Sequence, residues 1–202
     1  MRDADNIREV EAIVNQKKNS SVDWIGFIFA PRSPRYVETK PAYMPFRAKR
    51  VGVFVNDTEE SIIKHVDEFK LDFVQLHGAE SPEFCARLKK YGLHLIKAFP
   101  IVGPEDLIKT SDYEILCDYF LFDTKCSTNG GSGLSFDWSV LSYYKGSTPF
   151  LLSGGLGEGV IAQLREFSHP QWCGIDLNSR FEKSPAMKDA NKIKYFLQSM
   201  QQ

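Results

Sequence analysis

Residues 1–14, "MRDADNIREVEAIV", open the chain on a helix pattern. Ile7, Val10, Ile13 and Val14 recur at helical spacing with charged residues between them, so one face is apolar. Asp3 and Asp5 offer capping oxygens and negative charge at the positive end of that helix. The alternation of strands and helices downstream makes this opening decisive. Apolar, β-branched and aromatic runs that read as strands span 24–30, 50–56, 73–77, 94–99, 119–125, 149–153 and 172–178. Helix patterns separate them at 59–70, 82–91, 104–117, 138–144 and 158–167, and a last one, 187–200, closes the chain. The stretch 38–48 is a poor helix, because Pro41 and Pro45 interrupt it. The strand runs are apolar nearly throughout instead of alternating, the pattern of a parallel sheet covered on both faces. The count is seven strands and eight helical segments, and the helix with no strand before it is the first. A (β/α)8 barrel needs eight of each and at least about 200 residues. An open doubly wound sheet tolerates seven strands but usually starts with one. The unmatched first helix therefore points to an α/β fold, a (β/α)8 TIM barrel whose first β-strand is missing from this chain.

No linker, low-complexity tract or composition shift divides the 202 residues. Residues 1–202 are expected to form one barrel domain, truncated at its N-terminus. A formal net charge of −1 gives no sign of a nucleic-acid partner. The apolar runs are far too short to span a bilayer, and the acidic start is not a signal peptide. Cys85, Cys117, Cys126 and Cys173 form no C-x-x-C pair, so no zinc or other metal is expected. They read as reduced thiols of a cytoplasmic protein.

In either fold, chemistry gathers at the C-terminal ends of the strands. Those ends are polar here beyond what packing requires. After the first strand come Pro31-Arg32-Ser33-Pro34-Arg35-Tyr36, and the third ends in Gln75-Leu76-His77-Gly78. Taken singly, His77 reads first as a hydrogen-bonded structural histidine, and Arg35, beside the turn residue Pro34, as a solvated loop residue. Asp123 is harder to dismiss. It follows Phe120-Leu121-Phe122 on a strand expected to be buried, and desolvation suits a carboxyl to hold a proton near neutral pH. Gly154-Gly155 follows the penultimate strand and precedes a helix starting near Glu158, where barrels frequently bind phosphate. Asn178-Ser179, after the last strand, offers further N–H donors. Gly130-Gly131-Ser132-Gly133 is either a lid that excludes water or a long loop.

Together these stretches resemble phosphoribosylanthranilate isomerase, a barrel enzyme of tryptophan biosynthesis. The matching pieces are "WIGFIFAPRSPRYV", "RVGVFVN", "FVQLHGAE", "IKAF", "FDTKCSTNGGSGLSFDW", "LLSGGL" and "DLNSRFEKSPAMKD", in the family's order. The resemblance implies conversion of N-(5-phosphoribosyl)anthranilate to 1-(2-carboxyphenylamino)-1-deoxyribulose 5-phosphate. This is an Amadori rearrangement and uses no metal or cofactor. It also implies roles: Asp123 as the acid that protonates the furanose oxygen, and Arg35 facing the anthranilate group. Gly154, Gly155, Asn178 and Ser179 would hold the phosphate, Asp176 would lie near the ribose hydroxyls, and Gln75 and His77 would line the wall. The expected partner is thus a small phosphorylated substrate; the oligomeric state stays open.

Three departures from the family stand out. Asn178-Ser179-Arg180 replaces a small Ser-Gly type loop, and Arg180 either adds charge to the phosphate site or points to solvent. Pro185-Ala186 replaces the usual Pro-Gly. The family also begins with a short strand ending in Cys-Gly, whose cysteine is the general base, before the segment matching Met1-Arg2-Asp3. The expectation is that in-frame codons before Met1 encode that strand. The 202-residue chain alone would then be impaired as an isomerase. Two other functions stay in play: a non-catalytic phosphosugar-binding or assembly protein on the same barrel, and another phosphate-binding barrel enzyme of tryptophan or histidine biosynthesis. Arg35 and the stretch after Asp123 argue against the second.

Overall fold

The computed structural model describes residues 1–13, 22–124 and 137–200. Val14, Lys125, Cys126 and the stretch 130–133 lie outside the described residues. Seven strands run in chain order: β1 (Trp24–Ile28), β2 (Lys49–Phe54), β3 (Phe73–Leu76), β4 (Leu95–Pro100), β5 (Tyr119–Asp123), β6 (Phe150–Ser153) and β7 (Trp172–Ile175). An antiparallel hairpin, β8 (Glu182–Ser184) and β9 (Met187–Lys188), comes after them. The helices are α1 (Ala4–Glu11), α2 (Glu59–Phe69), α3 (Pro82–Lys89), α4 (Pro104–Ile108), α5 (Ile161–Glu166) and α6 (Ala190–Ser199). Each of the seven strands falls on a predicted run to within three residues at either end.

The chain folds as two compact units, Met1–Glu80 with Phe181–Gln202, and Ser81–Arg180. In the first unit β1 pairs with β2 and β2 with β3, both parallel, with Gly26 opposite Val51 and Phe54 opposite Leu76. The Gly26 carbonyl also accepts a hydrogen bond from the Met1 amino group. Asp3 caps α1, its Oδ1 accepting from the Asn6 amide at 2.8 Å, and Ile7, Val10 and Ile13 are buried as the apolar spacing requires. Phe29, Phe54, Phe69 and the His65 ring pack as one aromatic cluster. Each such buried phenylalanine contributes about 1.5–3 kcal/mol relative to leaving it exposed.

No helix forms between β1 and β2, as Pro41 and Pro45 foretold. A buried carboxylate organises that segment instead. Glu11, on α1, accepts from the amides of Phe46 (2.8 Å), Arg47 (2.6 Å) and Ala48 (3.0 Å) through Oε1, and from the Tyr43 hydroxyl through Oε2. Burial opposes its ionisation, but the Tyr43 hydroxyl and the three amides outweigh burial and hold it below the usual carboxylate range. The helix pattern over 187–200 likewise begins late, at Ala190, capped by Asp189. Its first two residues are drawn into β9, because the Asn6 side chain bonds the Lys188 backbone both ways, donating to its carbonyl and accepting from its amide, each at 2.7 Å.

In the second unit β4, β5, β6 and β7 pair in parallel, with Pro100 opposite Asp123 and Asp123 opposite Ser153. Leu95 to Phe99 and Phe120 to Asp123 are buried without a break, so these strands are covered on both faces. Phe120, Phe122, Phe150 and Tyr144 pack together, with the Phe122 and Phe150 rings 4.6 Å apart. The predicted helix over 104–117 ends at Ile108 and resumes only as a 3-10 turn, Ser111–Tyr113. Hydroxyls cause the break: Thr110 Oγ1 donates to the Leu107 carbonyl (2.7 Å) and Ser111 Oγ to the Ile108 carbonyl (2.9 Å), occupying acceptors that a continuing helix would use.

Candidate active site

The C-terminal ends of β5, β6 and β7 bring several of the predicted residues together. Asp123 ends β5 and is buried. Its register partner Ser153 ends β6 and donates through Oγ to Asp176 Oδ2 at 3.1 Å, so Asp176 is tied to the same row. Thr124 extends the ladder one residue, its amide and its hydroxyl both donating to the Ser153 carbonyl at 2.9 Å. The chain leaving Ser153 then turns sharply through Gly154 (φ +88°) and Gly155 (φ +64°). Glycine at 154 is required twice over. Its φ lies in the left-handed region. A Cβ there would also stand 2.6 Å from Asp123 Oδ1 and 2.9 Å from the Thr124 backbone. The loop is thus pressed directly onto the carboxyl.

Asn178 and Ser179 are exposed on the segment after β7. Arg180 is next, and it neither points away nor pairs with a carboxylate among the described residues. Its side chain runs along the glycine loop. A Cβ on Gly157 would lie 3.0 Å from Arg180 Cδ and 3.4 Å from Nη1, and one on Gly155 would lie 3.9 Å from Nη2.

The other predicted residues belong to the first unit. Gln75 is buried, and its Nε2 sits 2.9 Å from His77 Nδ1, so His77 is held by a side chain of its own strand end. Gly78, next in the chain, donates to both carboxylate oxygens of the buried Glu80 (3.1 and 3.0 Å), which also accepts from the Asn56 amide at 2.8 Å. Arg35 is not a solvated loop residue. Its Nε lies 3.0 and 2.9 Å from the two Glu182 oxygens and its Nη2 lies 2.6 Å from Oε2, a two-pronged ion pair. Glu182 Oε1 further accepts from Lys188 Nζ (3.1 Å) and the Ala186 amide (3.2 Å). Burial would push the Glu182 carboxyl up, but Arg35 and Lys188 outweigh it and hold it below its ordinary value. Reciprocally, the hydrogen bonds that Arg35 donates to Glu182 raise the Arg35 guanidinium.

Sequence reasoning missed Glu182, Lys188, Asn6, Ser153 and the course of Arg180. An acidic residue among Arg180, Lys183 and Lys188 was visible, but its partner Arg35 lies 147 positions away. Local pattern carries no information at that range.

A buried carboxyl beside a glycine turn can exchange a proton, while the turn's amides can face an anion that side chains would otherwise block. Among the described residues no group of three or more His, Cys, Asp or Glu side chains could hold a metal ion. Comparison with known proteins places the chain in a family. The family described as PRAI, N-(5'-phosphoribosyl)anthranilate (PRA) isomerase, matches residues 2–199. An N-(5'-phosphoribosyl)anthranilate isomerase of Phocaeicola vulgatus is 49% identical over 100% of this chain and 95% of its own. Another from Parabacteroides distasonis is 51% identical over 99% of this chain and 90% of its own. Among solved structures, the Thermotoga maritima phosphoribosylanthranilate isomerase is similar with a TM-score of 0.75 at 29% identity, covering 100% of this chain and 98% of that one. A phosphoribosylanthranilate isomerase in complex with reduced 1-(o-carboxyphenylamino)-1-deoxyribulose 5-phosphate is equally similar, with a TM-score of 0.75 at 28% identity and the same coverage. Among the described residues, the seven parallel strands are those of a (β/α)8 fold lacking one strand. By sequence and by fold, the chain belongs to the N-(5'-phosphoribosyl)anthranilate isomerase family.

Proposed function

We propose that this chain catalyses the isomerase step of tryptophan biosynthesis, converting N-(5'-phosphoribosyl)anthranilate to 1-(2-carboxyphenylamino)-1-deoxyribulose 5-phosphate. The observation that carries the reading is the closure of Gly154 on Asp123, which sets a buried carboxyl beside a glycine turn. Asp123 protonates the furanose oxygen as its bond to C1′ breaks and the nitrogen lone pair forms the iminium. A base then removes the C2′ proton, and the resulting enolamine tautomerises to the amino-ketose. Proton transfers alone complete this chemistry.

Gly154, Gly155, Asn178 and Ser179 take the phosphate, Asp176 the ribose hydroxyls, and Gln75 and His77 line the site. Arg35 takes the anthranilate carboxylate, using the guanidinium edge and face that Glu182 does not occupy. The base is none of the three described cysteines. Cys85 lies on α3, Cys117 precedes β5, and Cys173 is the second residue of β7, whereas Asp123 is at the C-terminal end of its strand. The hydrogen bond with Cys85, together with burial, raises the Cys117 thiol, and burial pushes Cys173 up to about 11. No helix among the described residues is long and apolar enough to cross a membrane, and we assign the reaction to the cytoplasm.

The test is turnover of phosphoribosylanthranilate, followed by loss of its anthranilate-type fluorescence. It is run on the 202-residue chain and on that chain with a strand ending in Cys-Gly, of the kind the family carries, added before Met1. Turnover is expected of the extended form, and impaired turnover of the 202-residue chain alone. A protein that folds and binds inorganic phosphate but isomerises the substrate in neither form overturns the reading.

A further inference from the structure

We propose that Arg180 is a phosphate-binding residue, adding a full positive charge to the loop formed by Gly154 to Gly157. The inference rests on the reading of that loop as the phosphate site. Three observations support it. Arg180 is exposed, yet its side chain lies along the glycines, close enough that a Cβ at 157 would press on Cδ at 3.0 Å. Glycine at 157 answers to that contact alone, because its φ of −178° is extended backbone open to any residue. In addition, no carboxylate among the described residues pairs with Arg180, so its guanidinium donors are available to a ligand.

The charge at these strand ends favours such a group. Asp123, at the end of β5, and Asp176, just past β7, flank Ser153 at the end of β6, which is the register partner of the first and donates to the second. A phosphate dianion brought to the loop meets the Asp176 carboxyl as well as backbone amides, Asp123 being the protonated acid of the proposed reaction. Amides supply only partial charges, and a guanidinium offsets the repulsion with planar, paired N–H donors matched to phosphate oxygens. Here the cation extends the site by a contact that the backbone cannot provide.

The experiment measures binding of inorganic phosphate to the intact protein by titration calorimetry, alongside steady-state turnover, for Arg180→Ala and Arg180→Lys. Arg180→Ala is expected to weaken phosphate binding by about tenfold, the low end for a charge-assisted contact at an exposed site. It should raise KM by a similar factor, leave kcat within about twofold, and flatten the salt dependence of binding. Arg180→Lys should recover part of the affinity. Phosphate affinity unchanged in Arg180→Ala overturns the proposal, as does a wild-type protein that binds no phosphate. Arginine-dependent phosphate binding without isomerase turnover supports the role of Arg180 while removing the proposed reaction.

Discussion

Two arginines occupy polar regions of the molecule, and they are held in opposite ways. Arg35, in the first unit, is half-buried and clamped by Glu182, which is itself held by Lys188 and the Ala186 amide. Arg180, in the second, is exposed and lies against glycines with no carboxylate partner among the described residues. The difference separates two uses of charge. A cation fixed by a buried anion has its orientation set in advance, so little rotamer freedom is lost when it meets a ligand. A cation laid on a bare backbone keeps its donors available but must be ordered by the ligand. The same contrast runs through the surroundings. The Arg35 region is a network of fully partnered side chains, while the Arg180 region is built by removing side chains.

The sharpest way to break this contrast is at the carboxyl that the glycine loop covers. Asp123→Asn should lower kcat by on the order of 10²-fold or more in a form of the protein that turns over, with KM changing much less. A near-normal kcat would show that the loop covers a structural carboxyl. In the partnered region the expected loss is stability. Glu182→Ala leaves Arg35 and Lys188 without their shared anion and should cost about 2–3 kcal/mol, read from chemical denaturation. An unchanged midpoint would mean that the network is solvated in practice.

Acid should sharpen the comparison further. Glu182 and Glu11 both have folded-state pKa values held below their ordinary 4.5. Their stabilisation is therefore fully present above that value and is lost as pH falls through the lower folded values. Melting temperature should drop below about pH 4.5, and Glu11→Gln or Glu182→Gln should shrink the drop while lowering stability at pH 7. A profile that is equally steep in both variants would remove them as its source.

The smallest effect lies in the hairpin. Ala186 sits at φ +69°, in the left-handed region, where its amide reaches Glu182. Ala186→Gly should relieve about 1 kcal/mol of strain and raise the melting temperature by about 2–4 °C. No gain would indicate that the unfolded-state entropy of glycine cancels the relief.

Much of the architecture was legible because it is written in local pattern. Uninterrupted apolar runs located all seven strands, and Asp123 and Gly154 stood out because they come directly after such runs. The errors arose where side chains compete for the backbone. The hydroxyls of Thr110 and Ser111 cut short a helix whose apolar spacing continued. Asn6 pulled Met187 and Lys188 out of a helix pattern into β9.

The sequence by itself determined the order of strands and helices, the family, and the candidate acid. Period, turn residues and burial preference act within a few residues of one another. Only the tertiary structure decided which charges are partnered. Glu11 with residues 46–48, Arg35 with Glu182, and Arg180 with the glycine loop each join positions distant in sequence. A polar side chain's role depends on what shares its low-dielectric surroundings, and the chain specifies those neighbours only once its apolar strands have been buried together.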